Sequence, residues 1–239
     1  MAATFLLLRL EGPLMSFGTT AVDHRRPVQA WPAASMLTGL LANALGWDGA
    51  DATALDALQA RLRWAARIDR PGALLHDFQT AQLSQSDKGW TTRGVVEERG
   101  GGPDAYKSPH LRYRDYRADA SVLVALRLQP AEPTPTLEDL ARALDTPARP
   151  LFLGRKGCLP ATRINRGLTQ ADDAVAALRA APPGDDALDP ALAAVYFNAG
   201  AAAADSALLT HYASDERRFF LDVHAGRQPV YEIPAKGIA

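Results

Sequence analysis

The residue pattern predicts an α+β protein, and three observations carry that expectation. A short branched apolar run, Thr4 to Leu10, opens the chain; an alternating segment, Ser121 to Leu128, is its clearest strand; and both are followed by apolar residues at helical spacing. Two strand–helix–strand units therefore stand on either side of a long irregular stretch, with further strands in the tail. At 239 residues, 47% of them hydrophobic and 22% charged, the chain has material for a sizeable core in one large or two small domains.

Thr4 to Leu10 (TFLLLRL) reads as a buried first strand ended by the turn Glu11-Gly12-Pro13. Pro32 suits a first helical turn, and Met36, Leu37, Leu40, Leu41, Ala44 and Leu45 recur at helical spacing until Gly46. Asp51 is expected to cap a second short helix carrying Leu55, Leu58 and Leu62, and Leu62 to Ile68 forms the next strand. From Leu74 to Pro109 the pattern breaks into strand-like pieces separated by Ser-Gln-Ser-Asp-Lys-Gly and Arg-Gly-Gly-Gly-Pro, the mark of a long projecting hairpin or loop. Ser121 to Leu128 belongs in the middle of a sheet. Thr136-Leu-Glu-Asp139 makes a capping-box-like start to a helix with Leu137, Leu140, Ala141 and Leu144 on one face, and Leu151-Phe152-Leu153 is expected to complete the second crossover. Thr169 to Ala180 reads as a small acidic helix, Pro182 to Asp189 as a linker, and Arg217 to Val223 and Val230 to Ile233 as two late strands. Two βαβ-type units suggest a ferredoxin-like (RRM-type) βαββαβ core, an architecture that hosts many unrelated functions.

Composition excludes several classes. No apolar run approaches the ~18 residues needed to cross a bilayer. Ala2 to Leu8 is cut short by Arg9 with no basic residue before it, so neither a membrane span nor secretion is expected. The single cysteine, Cys158, removes internal disulfides and paired-thiolate zinc sites, and it fits a cytoplasmic location. His24, His76, His110, His211 and His224 stand singly, and neither G-x-x-x-x-G-K-[ST], G-x-G-x-x-G nor G-x-S-x-G occurs, so no metal and no cofactor is expected.

The net charge of −1 hides a segregation along the chain. From Arg149 to Arg166 there are five basic residues and no acid, Lys88 to Arg117 is basic again, and Gly167 to Asp205 is acidic. Of the 26 basic residues 22 are arginine, whose planar fork suits phosphate contacts and base stacking. A GC-rich genome accounts for much of that count but little of the clustering. Gly100-Gly101-Gly102 could bring amides near phosphates, although without a following helix start it reads better as a flexible tip. Tyr106, Lys107 and His110 could supply the base, acid and cation of a metal-free RNA cleavage, or simply be polar residues at the base of a hairpin. Pro150 to Pro160 (PLFLGRKGCLP) reads as a buried strand that stops at Gly154 and presents Arg155-Lys156-Gly157. By itself this is either a phosphate site or an ordinary polar turn.

That last segment resembles the P-L-[YF]-L-G-R-[RK]-x-C-x-P signature of the CRISPR-associated Cas5 family, in its type I-E Cascade branch within the RAMP superfamily. Leu8 to Gly18 (LRLEGPLMSFG) is similar to the family's L-R-L-x-G-P-x-[MQ]-x-[WF]-G opening, and Arg25-Arg26-Pro27 with Pro32, Ser35, Gly39, Leu40 and Leu41 to its T-R-P…P-[ST]-x-S-x-[LI]-x-G-L-L segment. Asp77-Phe78-Gln79-Thr80 resembles the D-[YF]-[HQ]-T that begins the family's thumb, and Arg114 to Ala120 (RDYRADA) the R-x-Y-L-x-D-A that closes it. The motifs span residues 5 to about 160. Ala34 stands where the family often has Arg, Arg117 where it has Leu, and Gln79 leaves no histidine base at that position.

The resemblance implies a core at 1–160 with a β-hairpin thumb inserted at about 75–117. A β-rich extension at 161–239 would complete the sheet without being an independent domain. It further implies a non-catalytic, cytoplasmic subunit that grips the 5′ handle of the CRISPR RNA, contacts the large and backbone subunits of its complex, and meets target DNA only through that complex. Carried over residue by residue and joined to the basic clusters, it singles out Gly18, Arg25, Arg26, Ser35, Lys107, Arg112, Arg114, Gly154, Arg155 and Lys156 for RNA. The alternatives are a metal-free endoribonuclease of the type I-C kind, using Tyr106, Lys107 and His110, and a ferredoxin-like protein-interaction module. The last requires the basic clusters to lie on opposite faces.

Overall fold

The computed structural model describes residues 2–19, 21, 24–82, 89–90, 96–97, 109–132, 134–185, 187–204, 207–214, 216–221, 223–224 and 226–235. In chain order the elements are β1 (Ala3–Met15), β2 (Arg25–Arg26), α1 (Ala34–Leu45), α2 (Ala52–Arg61), β3 (Leu62–Arg70), β4 (Ala73–Ala81), β5 (Gly89–Trp90), β6 (Val96–Glu97) and β7 (His110–Leu128). They continue with α3 (Leu137–Asp145), β8 (Asn165–Ala171), α4 (Ala174–Ala180), β9 (Val195–Asn198), β10 (Leu209–Ala213), β11 (Arg217–Arg218), β12 (Val223–His224) and β13 (Gln228–Ile233). One large sheet runs β10-β13-β9-β3-β7-β1-β8, with β2 and β4 also pairing β7. Every pairing along that path is antiparallel, and β2 joins β7 in parallel.

Alternation builds the core. Leu6, Leu8 and Leu10, Trp64, Ala66 and Ile68, and Val122, Val124 and Leu126 pack with Leu37 and Leu41 of α1 and Leu140 and Leu144 of α3. The intervening positions Phe5, Ala65, Leu123, Ala125 and Phe197 pack with Ala174, Ala177 and Leu178 of α4 on the other face. On that second face lies a fully buried charge cluster. Arg9 and Arg67 both donate to the Asp69 carboxylate, and Arg67 also donates to the carbonyls of Ala181 (2.9 Å) and Pro182 (3.2 Å), tying β3 to the end of α4.

Several expectations are corrected. β1 does not end at Glu11-Gly12-Pro13: Gly12 pairs Ala120 and Leu14 pairs Ala118, and the ladder skips only Pro13, which has no N–H to give. Asp51 makes no side-chain cap for α2. Asp48 caps the preceding 3-10 turn, and the Asp51 carboxylate accepts back from the Asp48 N–H at 2.8 Å. Leu151-Phe152-Leu153 is a loop; the strand after α3 is β8, which pairs β1 antiparallel. β8 is an edge strand that, after buried Asn165, alternates between exposed and half-buried residues, so it lacks the apolar run that marks a central strand. Thr169 to Ala180 divides into the end of β8 and α4, the latter capped by Asp173 accepting from the Ala176 N–H at 2.8 Å. In the tail, Arg217 to Val223 splits into β11 and β12 around a turn, and β9 and β10 are additional. Three residues of four-residue β9 are buried, so it carries no alternation to read. The capping box predicted for α3 is present between Thr136 and Asp139.

Candidate nucleic-acid interface

β7 is nineteen residues long, and its two halves do different work. From Ala120 onward it is core; from His110 to Ala118 it pairs β4 in a hairpin arm running from Ala81–His110 down to Ala73–Ala118. At the foot of the turn into β4, Gly72 has φ +65, and a Cβ there would lie 2.4 Å from the Ala118 carbonyl. β2 lies along the other side of the arm, in register at Arg25–Tyr113 and Arg26–Arg114, with the Tyr113 N–H donating to the His24 carbonyl at 3.0 Å.

The Gly154 segment docks onto this junction. Residues 153–158 close a tight turn through Leu153 N–H to Cys158 O (2.7 Å) and Cys158 N–H to Arg155 O (2.8 Å). Gly154 has φ +99 and passes so close to the end of β1 that a Cβ would sit 1.9 Å from the Ser16 carbonyl, which only glycine permits. The Arg155 guanidinium donates to the carbonyls of Asp115 on β7 (2.9 Å) and Arg26 on β2 (3.1 Å) and lies 4.7 Å from the Tyr116 ring centroid. Arg155 thus fastens three segments together, and Lys156 is left exposed at the turn's tip. Burial pushes the Cys158 thiol up from its ordinary value, so beneath that turn it stays protonated.

The predicted residues are only partly assembled. Arg25, Arg26, Arg114, Gly154, Arg155 and Lys156 meet at the junction, and Arg112 is exposed higher on the arm. Gly18 is exposed and bridges Val28 near β2. Ser35 is half-buried in the first turn of α1. Of the cleavage trio His110 is exposed at the start of β7, whereas Tyr106 and Lys107 lie outside the described residues.

The acid-free run Arg149 to Arg166 acquires acids from elsewhere. Arg163 makes a two-pronged bond to Asp145 (2.8 and 2.7 Å), which raises the arginine and holds the carboxyl below its usual range. Arg149 donates to the Trp47 carbonyl at 2.8 Å and lies 3.5 Å from Asp48. Neither cation stands unpaired, so the basic surface is narrower than the sequence suggests.

Sequence reasoning missed the rings on the arm. Phe78 faces Tyr113 across the β4–β7 pair at 5.0 Å, and Tyr113 has His24 at 5.4 Å and the Arg25 guanidinium also at 5.4 Å. On the same face His76 pairs Asp115 at 2.7 Å. Alternation in Leu111, Tyr113 and Asp115 was the available signal, but which partner each meets depends on register. A second polar cluster joins the tail to the loop before α1: Trp31 stacks on Tyr196 at 4.6 Å, and Glu232 accepts from Tyr196 at 3.1 Å and pairs His211. Burial, then Glu232, pushes the Tyr196 phenol far above its ordinary value. Among the described residues no group of acids, histidines and cysteine could hold a metal ion, and no helix is long and apolar enough to cross a membrane.

Comparison with known proteins places this geometry. The family model "CRISPR-associated protein (Cas_Cas5)" matches residues 5–226. The chain is 32% identical over 177 residues to the "CRISPR system Cascade subunit CasD" of Escherichia coli (strain K12), covering 73% of this chain and 75% of that one. A chain of the solved structure "CRISPR RNA-guided surveillance complex" superposes with TM-score 0.69 at 25% identity, covering 97% of this chain and 90% of its own. "Crystal structure of Cas protein" superposes with TM-score 0.58 at 28% identity over 98% of both chains.

Proposed function

The chain belongs to the CRISPR-associated Cas5 family, and from that premise we propose that it is a non-catalytic CRISPR RNA-binding subunit of a type I-E Cascade surveillance complex, gripping the 5′ handle of the guide. The observation that carries this reading is the Arg155 fork, which fastens the Arg25–Arg26 strap to the arm and gathers Arg25, Arg26, Arg114 and Lys156 at one junction. Clusters brought to one place support a nucleic-acid partner over a protein-interaction module. In this reading Arg25, Arg26, Arg112, Arg114 and Lys156 contact phosphates, Arg155 holds them in position, Gly154 lets the turn close onto the end of β1, and Gly18 and Ser35 belong to the RNA-facing set. Lys107 belongs to the same set.

The order β3-β7-β1-β8, with α1 and α2 linking β1 to β3 and α3 linking β7 to β8, supports a ferredoxin-like core. The β4–β7 arm is the base of a thumb at about 75–117, and residues 161–239 complete the sheet. The large and backbone subunits of the complex are the protein partners, and target DNA is met only through the assembly in the cytoplasm.

The test is binding of the purified chain to repeat-derived single-stranded RNA at several salt concentrations. The Arg25→Ala/Arg26→Ala/Lys156→Ala variant is expected to bind more weakly and to flatten the log-log salt slope by about 2, at ~0.7 per lost phosphate contact. An unchanged slope in a folded variant would remove these residues from the interface. RNA incubated with the wild-type chain in EDTA is expected to stay intact, and a defined cut would instead support a metal-free endoribonuclease.

A further inference from the structure

Phe78 is a large ring left 54% exposed on the arm. Its strand position is fixed by the ladder, its inner edge packs on Tyr113 at 5.0 Å with an interplanar angle of 38°, and Tyr113 is itself flanked by His24 and the Arg25 guanidinium. The ring is therefore held rigidly from behind while much of its surface faces water. Its setting is cationic: exposed Arg25, the register partner of Tyr113, lies over that supporting ring, and the acid on the same face, Asp115, is engaged by His76.

From this arrangement we propose that Phe78, backed by Tyr113, is a stacking platform for one nucleobase of single-stranded RNA. The inference rests on the RNA-binding reading above and adds a contact of a different kind to it. A strand of RNA offers a flat apolar base and a phosphate a few ångströms apart. An exposed ring with an arginine beside it matches both, whereas the flank of an apolar protein partner would leave Arg25 unanswered. Every base has a π-face, so the platform tolerates sequence. A ring already ordered by its ladder position and by Tyr113 loses little freedom when a base settles on it.

The experiment uses the full chain and repeat-derived single-stranded RNAs carrying 2-aminopurine at successive positions. In the wild-type complex one position is expected to be quenched by stacking. Phe78→Ala is expected to abolish that quench and weaken binding about 5- to 150-fold, the range that one stacked base supplies. The salt slope stays unchanged, because no phosphate contact is removed. Phe78→Tyr restores both the quench and the affinity. Wild-type affinity and quenching in Phe78→Ala would overturn the platform and return this face to a protein neighbour. A loss of affinity with a flattened slope would mean that the arm had collapsed, and would overturn it equally. If the wild-type chain binds none of these RNAs, the parent reading fails and the platform falls with it.

Discussion

Replacing Arg155 separates two kinds of arginine: one that touches phosphate and one that holds other arginines where they can. Arg155→Ala deletes the bonds to Asp115 O and Arg26 O and the contact with the Tyr116 ring. At this half-buried site each bond from a charged donor is worth about 1–1.5 kcal/mol, and the ring contact about 0.5–1 kcal/mol, so the loss comes to about 2.5–4 kcal/mol. Arg155→Lys keeps the charge, but one ammonium cannot span two carbonyls on different strands or lie flat on Tyr116, so about half of that loss remains. Urea unfolding measures this as a lower midpoint at unchanged m. Binding of repeat-derived RNA then distinguishes the roles. With the strap released, Arg155→Lys is expected to flatten the salt slope by about 1.4, the two contacts of Arg25 and Arg26 at ~0.7 each, although no charge has been removed. Adding Arg25→Ala and Arg26→Ala to Arg155→Lys should then cost little more, because residues acting through one seat are not additive. If Arg155→Lys matches the wild type in midpoint and slope while Arg155→Ala loses ~0.7, Arg155 is a phosphate ligand and the positioning argument is wrong.

Two further perturbations probe the frame. Asp69→Asn removes the carboxylate shared by buried Arg9 and Arg67 and is expected to cost about 3–5 kcal/mol in urea or thermal unfolding; wild-type stability would mean the cluster contributes nothing. Asp145 is held below the ordinary carboxylate range, first by the Arg163 hydrogen bond, so its stabilisation is present above the unfolded pKa and lost as pH falls through the lower folded one. Asp145→Asn should therefore melt below the wild type at neutral pH and converge with it only in acid, once the pH has fallen through the lowered folded pKa. The difference is small, because the pair is largely solvated, and a gap that persists undiminished in acid would contradict the assignment.

Features written within a few residues were legible in the sequence: the apolar run Thr4 to Leu10, the alternation in Ser121 to Leu128, the Thr136–Asp139 capping box, and Gly46 at the end of α1. These follow from propensities and caps that act over one or two turns of chain. The family motifs were legible as well, and several of their residues, Arg25, Arg26, Arg114 and Arg155, lie at the junction. Tertiary structure decided which cations of the basic runs remain available. Asp145 and Asp48 reach Arg163 and Arg149 from outside the acid-free run, and the carbonyl that engages Arg155 on β2 lies 129 positions away. The register of β4 against β7 likewise chose Tyr113 as the support for Phe78, and a slip of one residue would have turned that ring to the opposite face. Charge and ring identity are properties of a residue, but whether a charge is free or a ring is backed depends on neighbours that the chain brings together only on folding.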